Sequence, residues 1–225
     1  SETNDLNQFI QAEKITKEIN PSYGSIQKLH ARSTADGDLI ALCEDRVLKI
    51  LAEKDAVYNA DGNPQLVATE NVLGQAIPYS GDYGISTNPE SFATYGYTKY
   101  FVDKEKNAVL KMDGTNIQEI SQAGMTDFFR DQLSAIGENG AILGAYDVYN
   151  KNYVISLQPE GRYAEGTYKT LTWDERNAGW TSFYSFKPVW VDSLKNKFYS
   201  FVDSNIYEHY YENPPLYNSR CKFYG

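Results

Sequence analysis

The sequence has 225 residues, which is enough to bury a sizeable core as one all-β domain or as two small domains. Hydrophobic residues make up 41% and charged residues 23%, values that argue against wholesale disorder. The formal net charge of −9 excludes a generic nucleic-acid-binding protein, because such a protein needs basic residues to neutralise phosphates. The apolar runs are too short for a transmembrane helix. Tyrosine is frequent, with 19 residues, and this excess favours β-structure, since aromatic side chains suit pleated, half-buried surfaces.

The N-terminal segment differs from the rest of the chain. Residues 5–19 are mostly polar with apolar side chains at mixed helical spacings, and Asn20-Pro21 follows them. This pattern predicts a peripheral amphipathic helix or arm that ends before the proline. We therefore place an N-terminal helix or arm at residues 1–25 and a β-domain at residues 26–225. The sequence starts without Met and stops within an aromatic run, so we expect it to be a piece of a longer polypeptide.

From residue 26 onwards, short apolar segments alternate with turn signals, a pattern typical of β-strands. The turn signals include Glu44-Asp45, Asp61-Gly62-Asn63-Pro64 and Asp113-Gly114. Residues 77–89 carry enough proline and glycine to predict a long ordered loop. The predicted strands are residues 38–43, 46–52, 97–102, 109–112, 144–149, 153–158, 168–174, 179–186, 189–192, 197–202 and 206–211.

One segment departs from the β pattern. Thr126 is predicted to cap a helix that runs to about Ile136. Phe129, Leu133 and Ile136 fall at positions i, i+4 and i+7, so they lie on one face of that helix. Two glycines follow and are predicted to end it.

A hairpin of two apolar strands joined by a charged turn recurs along the chain, near residues 40–51, 98–112, 145–157 and 197–209. The spacing of roughly 45–60 residues is that of a β-propeller blade. We therefore predict a mainly β fold of β-propeller-like blades built from antiparallel hairpins, with one short helix inserted. Three or four blades would not close a propeller, so the domain is expected to be incomplete. The alternative is an irregular all-β domain without propeller symmetry.

The acidic side chains do not form a recognisable catalytic or metal-binding pattern. A glycoside hydrolase needs two carboxylates that face each other across a cleft. Glu44-Asp45, Asp103 and Asp203 lie instead in predicted turns, where we expect solvated acids. Asp61, Asn63 and Asp113 lack the spacing of a calcium-binding loop. The sequence contains none of the common nucleophile, phosphate-loop or zinc-binding motifs.

The histidines and cysteines also favour structural roles. The chain has two histidines, and we interpret His30 as a structural residue on a strand and His209 as part of an aromatic strand. Cys43 and Cys221 are far apart in sequence and are predicted to be free, partly buried thiols in a reducing compartment, with a disulfide as the alternative. We predict no catalytic, cofactor-binding or metal-binding residue, no cofactor and no enzymatic activity.

The aromatic residues allow two interpretations. Trp173, Trp180, Trp190 and Tyr184 are candidates for a sugar-binding platform. Trp180, however, directly precedes an alternating segment, residues 181–186, where the core of a blade needs a large anchor. Packing within the core or between subunits is therefore the favoured role of these rings.

Nine short segments together form a recognisable pattern. They are residues 72–76 (VLGQA), 81–92 (GDYGISTNPESF), 100–103 (YFVD), 109–114 (VLKMDG), 119–121 (EIS), 124–129 (GMTDFF), 145–147 (AYD), 153–156 (YVIS) and 180–183 (WTSF). These segments resemble a block in the large tail proteins of short-tailed phages, in particular the tail stabilization, or muzzle, proteins of crAss-like phages. The resemblance covers most of residues 20–225. It is a pattern of structural positions and carries no catalytic signature.

The resemblance implies a structural virion protein located in the phage tail and made in the cytoplasm of the host bacterium. Such proteins assemble as a homo-oligomeric ring, expected to be sixfold, beneath the portal and ring proteins. The ring is the muzzle, or nozzle, that stabilises the tail and forms the DNA exit conduit. The implied partners are other copies of the chain and other tail, ring and fibre proteins. Genomic DNA would pass through without sequence-specific binding, and an acidic wall would repel its phosphates.

Two other functions remain open at this point. A glycan-binding β-propeller module for receptor binding predicts an exposed aromatic cluster beside acids on a concave face. A carbohydrate-active enzyme additionally predicts a close pair of carboxylates in that cleft. A structural protein predicts aromatic rings buried within blades or between subunits.

Overall fold

The computed structural model describes residues 17–31, 37–58 and 64–211. These residues form fifteen β-strands and one α-helix, so the predicted mainly β fold class is confirmed. The chain divides into two compact units, Ser1–Gly84 and Ile85–Gly225. The predicted N-terminal helix falls almost wholly on residues 1–16, outside the described part of the chain, and so does the turn at residues 61–63. The boundary at residue 25 stays a prediction.

The first unit contains one four-stranded antiparallel sheet, sheet 1, whose strands pair in chain order. Four of the five residues of the second strand are buried. Two of them, Ala41 and Cys43, form an apolar cluster with Leu48 and Ile50 of the third strand. The fourth strand is the longest, although its sequence does not alternate between apolar and polar residues. The strands are β1 (Ile26–Ala31), β2 (Leu39–Cys43), β3 (Val47–Tyr58) and β4 (Pro64–Pro78).

The second unit contains three further antiparallel sheets, each of which follows the chain without crossover. Sheet 2 consists of β5 (Ala93–Tyr95), β6 (Thr98–Asp103), β7 (Ala108–Asp113) and β8 (Asn116–Glu119). Sheet 3 consists of β9 (Ala141–Asp147), β10 (Asn152–Gln158), β11 (Lys169–Asp174) and β12 (Gly179–Tyr184). Sheet 4 consists of β13 (Trp190–Leu194), β14 (Lys197–Val202) and β15 (Asn205–Glu208).

The four predicted hairpins fall in four different sheets. The hairpins near residues 40–51 and 98–112 are β2–β3 and β6–β7, the middle strands of sheets 1 and 2. The hairpins near residues 145–157 and 197–209 are β9–β10 and β14–β15, in sheets 3 and 4. Each recurrence in the sequence therefore marks one separate antiparallel sheet.

The α-helix of the second unit, α1 (Thr126–Ser134), connects sheets 2 and 3. Phe129 and Leu133 are fully buried, as the helical spacing predicts. The predicted cap is wrong, because Met125 occupies the N-cap position and Thr126 is the first helical residue. The helix also ends before Ile136, which is buried just beyond its last turn.

The acids at the ends of strands are not all solvated, which corrects one expectation. Asp45 and Asp203 are exposed, but Asp103 at the end of β6 is completely buried. The Asp103 carboxylate accepts hydrogen bonds from the Ser86 hydroxyl at 3.0 Å and the Lys106 backbone N–H at 3.2 Å, and it pairs with the Lys106 ammonium at 3.1 Å. A buried carboxylate is tolerated here because several donors replace water.

The same turn geometry recurs in sheets 2 and 3. In each case an aspartate ends a strand, and the residue four positions later has positive φ, between 45° and 59°. In all three turns the carboxylate also accepts a hydrogen bond from a backbone N–H group, at Lys106, Tyr149 and Arg176. Such bonds close the turn locally. The pairs are Asp103 with Asn107, Asp147 with Lys151, and Asp174 with Ala178.

The first two strands of sheet 3 are buried on both faces. Every residue of β9 and β10 is buried. On one face, Tyr146, Tyr153 and Ile155 pack into a cluster with sheet 2 and the helix. On the other face, Leu143 and Val154 pack against sheet 4. Strands covered on both faces have near-continuous apolar sequences, and this accounts for the composition of the segment.

Candidate functional site

The two histidines lie in different environments. His30 is on β1, directly opposite Ile40 of β2, in agreement with its predicted place on a strand. His209 follows β15 and is 4% exposed, among the rings of Phe186, Phe198 and Tyr210. Burial lowers the pKa of His209 to about 4, so its imidazole is neutral at pH 7. A histidine with this pKa is a poor general base near neutral pH.

The tryptophans do not form an exposed platform. Trp173 is 4% exposed and belongs to the core between sheets 2 and 3. Trp180 packs against the same core, its indole N–H donates to the Ile120 carbonyl oxygen at 3.0 Å, and its ring lies 4.5 Å from that of Phe129. The favoured role of these two rings in core packing is confirmed. Trp190 is 38% exposed and carries the Arg162 guanidinium over its ring, while Tyr184 is partly buried.

The described residues contain no group of three or more His, Cys, Asp or Glu side chains that could hold a metal ion. Of the acids considered for calcium, Asp113 forms an ion pair with Lys111 at 3.1 Å, and Asp61 lies outside the described residues. Cys43 is buried with a free thiol, and burial raises its pKa. Cys221 lies outside the described residues.

Four tyrosines form a continuous stack where sheets 2 and 3 meet. Tyr95 lies on Tyr146 with ring centroids 4.4 Å apart, and Tyr146 lies 5.8 Å from Tyr100. Tyr100 lies on Tyr153 at 4.8 Å, and the rings of each pair are within 21° of parallel. The rings come alternately from the two sheets, so the stack interlocks them. Stacked aromatic pairs stabilise a contact by about 0.5–1.5 kcal/mol beyond the area they bury.

The Glu175 carboxylate bonds polar groups of both sheets beside this stack. Glu175, in the turn after β11, accepts a hydrogen bond from the Tyr100 hydroxyl. It also accepts the Trp173 indole N–H at 2.9 Å and pairs with the Lys111 ammonium at 2.5 Å. Tyr100 and Lys111 belong to sheet 2, and Trp173 to sheet 3. Burial raises the pKa of Tyr100, and the hydrogen bond to Glu175 raises it further, so the hydroxyl keeps its proton.

Replacing Glu175 with alanine is expected to destabilise the second unit by about 2 kcal/mol, because the buried Tyr100 hydroxyl and the Trp173 N–H lose their acceptor. The free energy of unfolding can be measured in urea by tryptophan fluorescence, which reports on this unit alone because the chain's three tryptophans lie in it. The matched control is Glu165→Ala, at an exposed glutamate. Equal stabilities of the two variants would contradict the role of Glu175.

The chain matches none of the protein-family models, and no curated protein is significantly similar to it. No helix among the described residues is long and apolar enough to cross a membrane. The most developed cluster of side chains described above is the tyrosine stack between sheets 2 and 3. Its rings and its carboxylate are arranged to hold two sheets together, and the acids that sequence analysis weighed for catalysis do not take part in it.

Proposed function

We propose that the chain is a structural protein of a short-tailed phage virion, part of the tail muzzle that stabilises the tail and forms the DNA exit conduit. The observation that carries this proposal is the burial of β9 and β10 of sheet 3 on both faces by the neighbouring sheets. Sheets locked by aromatic contacts make a stiff body, which suits a mechanical role. The choice of the muzzle among virion components rests on the resemblance of most of residues 20–225 to phage muzzle proteins.

We also propose that the sheets of the second unit are β-propeller-like blades. Their first strands lie together, since β9 contacts both β5 of sheet 2 and β13 of sheet 4. Blades of a propeller are four-stranded meanders whose first strands surround a central channel. Sheets 2 and 3 have the four strands of such a blade, in chain order.

In the intact particle, copies of the chain would form a ring, with sixfold symmetry, beside other tail, ring and fibre proteins. Exposed tyrosines of the second unit support such contacts. Tyr97 is 66% exposed and Tyr163 is 86% exposed. Tyrosine is enriched at protein interfaces because it buries a large area with few rotamers and still forms hydrogen bonds.

The location of the protein can be tested by mass spectrometry of purified particles from the phage that encodes it, with tails and capsids separated after disruption. We expect peptides from residues 17–211 in the tail fraction, at a ratio of several copies per portal. Absence of these peptides from purified particles would overturn the proposal, and so would their recovery in the capsid fraction alone.

The charge of the chain leads to a prediction about DNA. With a net charge of −9, the protein is expected to show no duplex binding below about 10 μM at low salt, because it repels phosphates. The measurement is fluorescence anisotropy of a labelled duplex. Reversing three exposed acids, Glu105→Lys, Glu138→Lys and Glu165→Lys, changes the net charge from −9 to −3 and is expected to weaken this repulsion. Sub-micromolar binding by the unmodified chain would contradict a non-adhesive conduit.

A further inference from the structure

A cavity of about 330 Å³ opens at one end of sheets 3 and 4. It lies between the β9–β10 turn, the β13–β14 turn and the residues after β15, and it is separate from the aromatic contact between sheets 2 and 3. Its volume is at the small end of the range of about 300–1,000 Å³ that is usual for ligand pockets. The cavity is thus large enough for a small ligand.

Aromatic rings line this cavity and remain accessible. Tyr149 is 66% exposed and stacks on Tyr210, with ring centroids 4.6 Å apart and planes 13° from parallel. The Tyr210 hydroxyl donates to Asp147 at 2.7 Å and accepts from the Asn150 amide at 2.8 Å, and these two bonds fix the Tyr210 ring. The Tyr149 ring, which stacks on it, therefore has a rigid support and one accessible face. Tyr211, which is 53% exposed, adds a second ring, and the Lys197 ammonium lies over that ring, 5.9 Å from its centroid.

The polar groups of the cavity supply both donors and acceptors without net charge. The Lys197 ammonium pairs with Glu208 at 2.5 Å, and the Tyr199 hydroxyl donates to the same carboxylate at 3.4 Å. Asn196 adds an exposed amide at the rim. Because the ammonium and the carboxylate already neutralise each other, a charged ligand gains little here. A neutral ligand with several hydroxyl groups can bond to both.

We propose that this cavity binds a neutral saccharide of one or two sugar units. The apolar face of the sugar ring would lie on Tyr149 or Tyr211, and its hydroxyls would bond to Asn196, Lys197 and Glu208. This arrangement of accessible rings around a few convergent polar groups is the usual composition of a small-ligand site. The inference goes beyond the proposed tail function and does not depend on it.

The test is saccharide binding to the full chain, measured by NMR with a panel of neutral mono- and disaccharides of glucose, galactose, mannose and N-acetylglucosamine. We expect at least one of them to bind with a dissociation constant in the millimolar range. Tyr149→Ala is expected to weaken that binding by about tenfold, the effect of losing one aromatic contact of about 1.4 kcal/mol. Tyr163→Ala is the matched control, because Tyr163 is 86% exposed and does not line this cavity.

The fold of each variant can be checked by its amide spectrum, and Tyr211→Ala replaces Tyr149→Ala if the latter does not fold. No binding of any sugar in the panel would overturn the proposal. Sugar binding that is unchanged in both Tyr149→Ala and Tyr211→Ala would also overturn the proposal. Tetramethylammonium and glucuronate serve as charged probes, and preference for either over every neutral sugar would contradict the neutral ligand.

Discussion

Replacing Gly144 with alanine is expected to destabilise the second unit by about 3 kcal/mol or more, the upper range for overpacking a core. Gly144 lies in the middle of β9, on the face of sheet 3 that meets sheet 2. A Cβ atom there would lie 2.1 Å from the Ser91 carbonyl oxygen and 2.7 Å from the Tyr153 hydroxyl. Both distances are far below van der Waals contact, and the nearer atom belongs to the backbone.

The clash would also break a buried hydrogen bond. The Tyr153 hydroxyl donates to the Ser91 carbonyl oxygen at 2.7 Å, and Tyr153 is fully buried. Ser91 cannot simply withdraw, because its side chain accepts the Val102 backbone N–H and donates to the Asn88 carbonyl oxygen. The alanine methyl would therefore push the segment before β5 away from β9 and separate sheets 2 and 3.

The matched control for this prediction is Gly137→Ala. The nearest atom to a Cβ atom at Gly137 is 3.9 Å away, an ordinary contact, and the residue is exposed. Unfolding in urea, followed by tryptophan fluorescence, gives the free energy of unfolding of each variant. We expect this free energy to fall by about 3 kcal/mol or more in Gly144→Ala and to change by no more than about 0.5 kcal/mol in Gly137→Ala. A Gly144→Ala variant as stable as the control would show that sheets 2 and 3 do not approach in the way described.

The second large effect is a loss of folding stability at acid pH that comes from His209. The pKa of His209 is lowered to about 4 in the folded protein, while the value of an unperturbed histidine is 6.5. Between these two values the unfolded chain binds one more proton at this site than the folded chain does. Stability therefore falls as pH is lowered from 6.5 to 4 and does not fall further from this group below pH 4. The full loss is about 3 kcal/mol, from a difference of 2.5 pKa units.

The contribution of His209 can be isolated with His209→Gln. Its amide can keep a hydrogen bond to the Ser200 hydroxyl, which lies 2.7 Å from the imidazole Nε2. Urea unfolding of both proteins at several pH values gives two stability curves, and their difference removes the effect of all other titrating groups. We expect the stability of the wild type relative to the variant to fall by about 3 kcal/mol from pH 7 to pH 4. Parallel curves would contradict a buried, neutral His209.

The parts of the fold that local sequence determines were predictable. The hairpins near residues 98–112 and 145–157 have apolar strands flanking polar turns, and both form as predicted. The strand β4 was not predicted, since its apolar residues lie next to one another instead of alternating with polar ones, and Glu70, Asn71 and Gly74 interrupt them. It forms because β3 offers a long partner with which it pairs from Tyr58 to Leu48. Pairing of this kind depends on tertiary context, which local propensity does not contain.

The contact between sheets 2 and 3 was less accessible to sequence analysis. Core packing was the role predicted for Trp173 and Trp180, and both take it. Which tyrosines stack on one another depends on how two sheets meet, and no local pattern specifies that. Glu175 was missed because its partners Tyr100 and Lys111 lie 75 and 64 residues away. The turns, in contrast, did have a signal in the sequence. An aspartate such as Asp147 ends the strand and lies four residues before a turn residue with positive φ.

The most direct measurement of the central claim is a cryo-electron microscopy reconstruction of the intact particle of the phage that encodes this chain. We expect density for residues 85–211 in the tail, with successive antiparallel sheets stacked face to face in repeated copies around the channel through which DNA leaves. A complete tail channel whose density is accounted for by other proteins, with this chain absent, would contradict it.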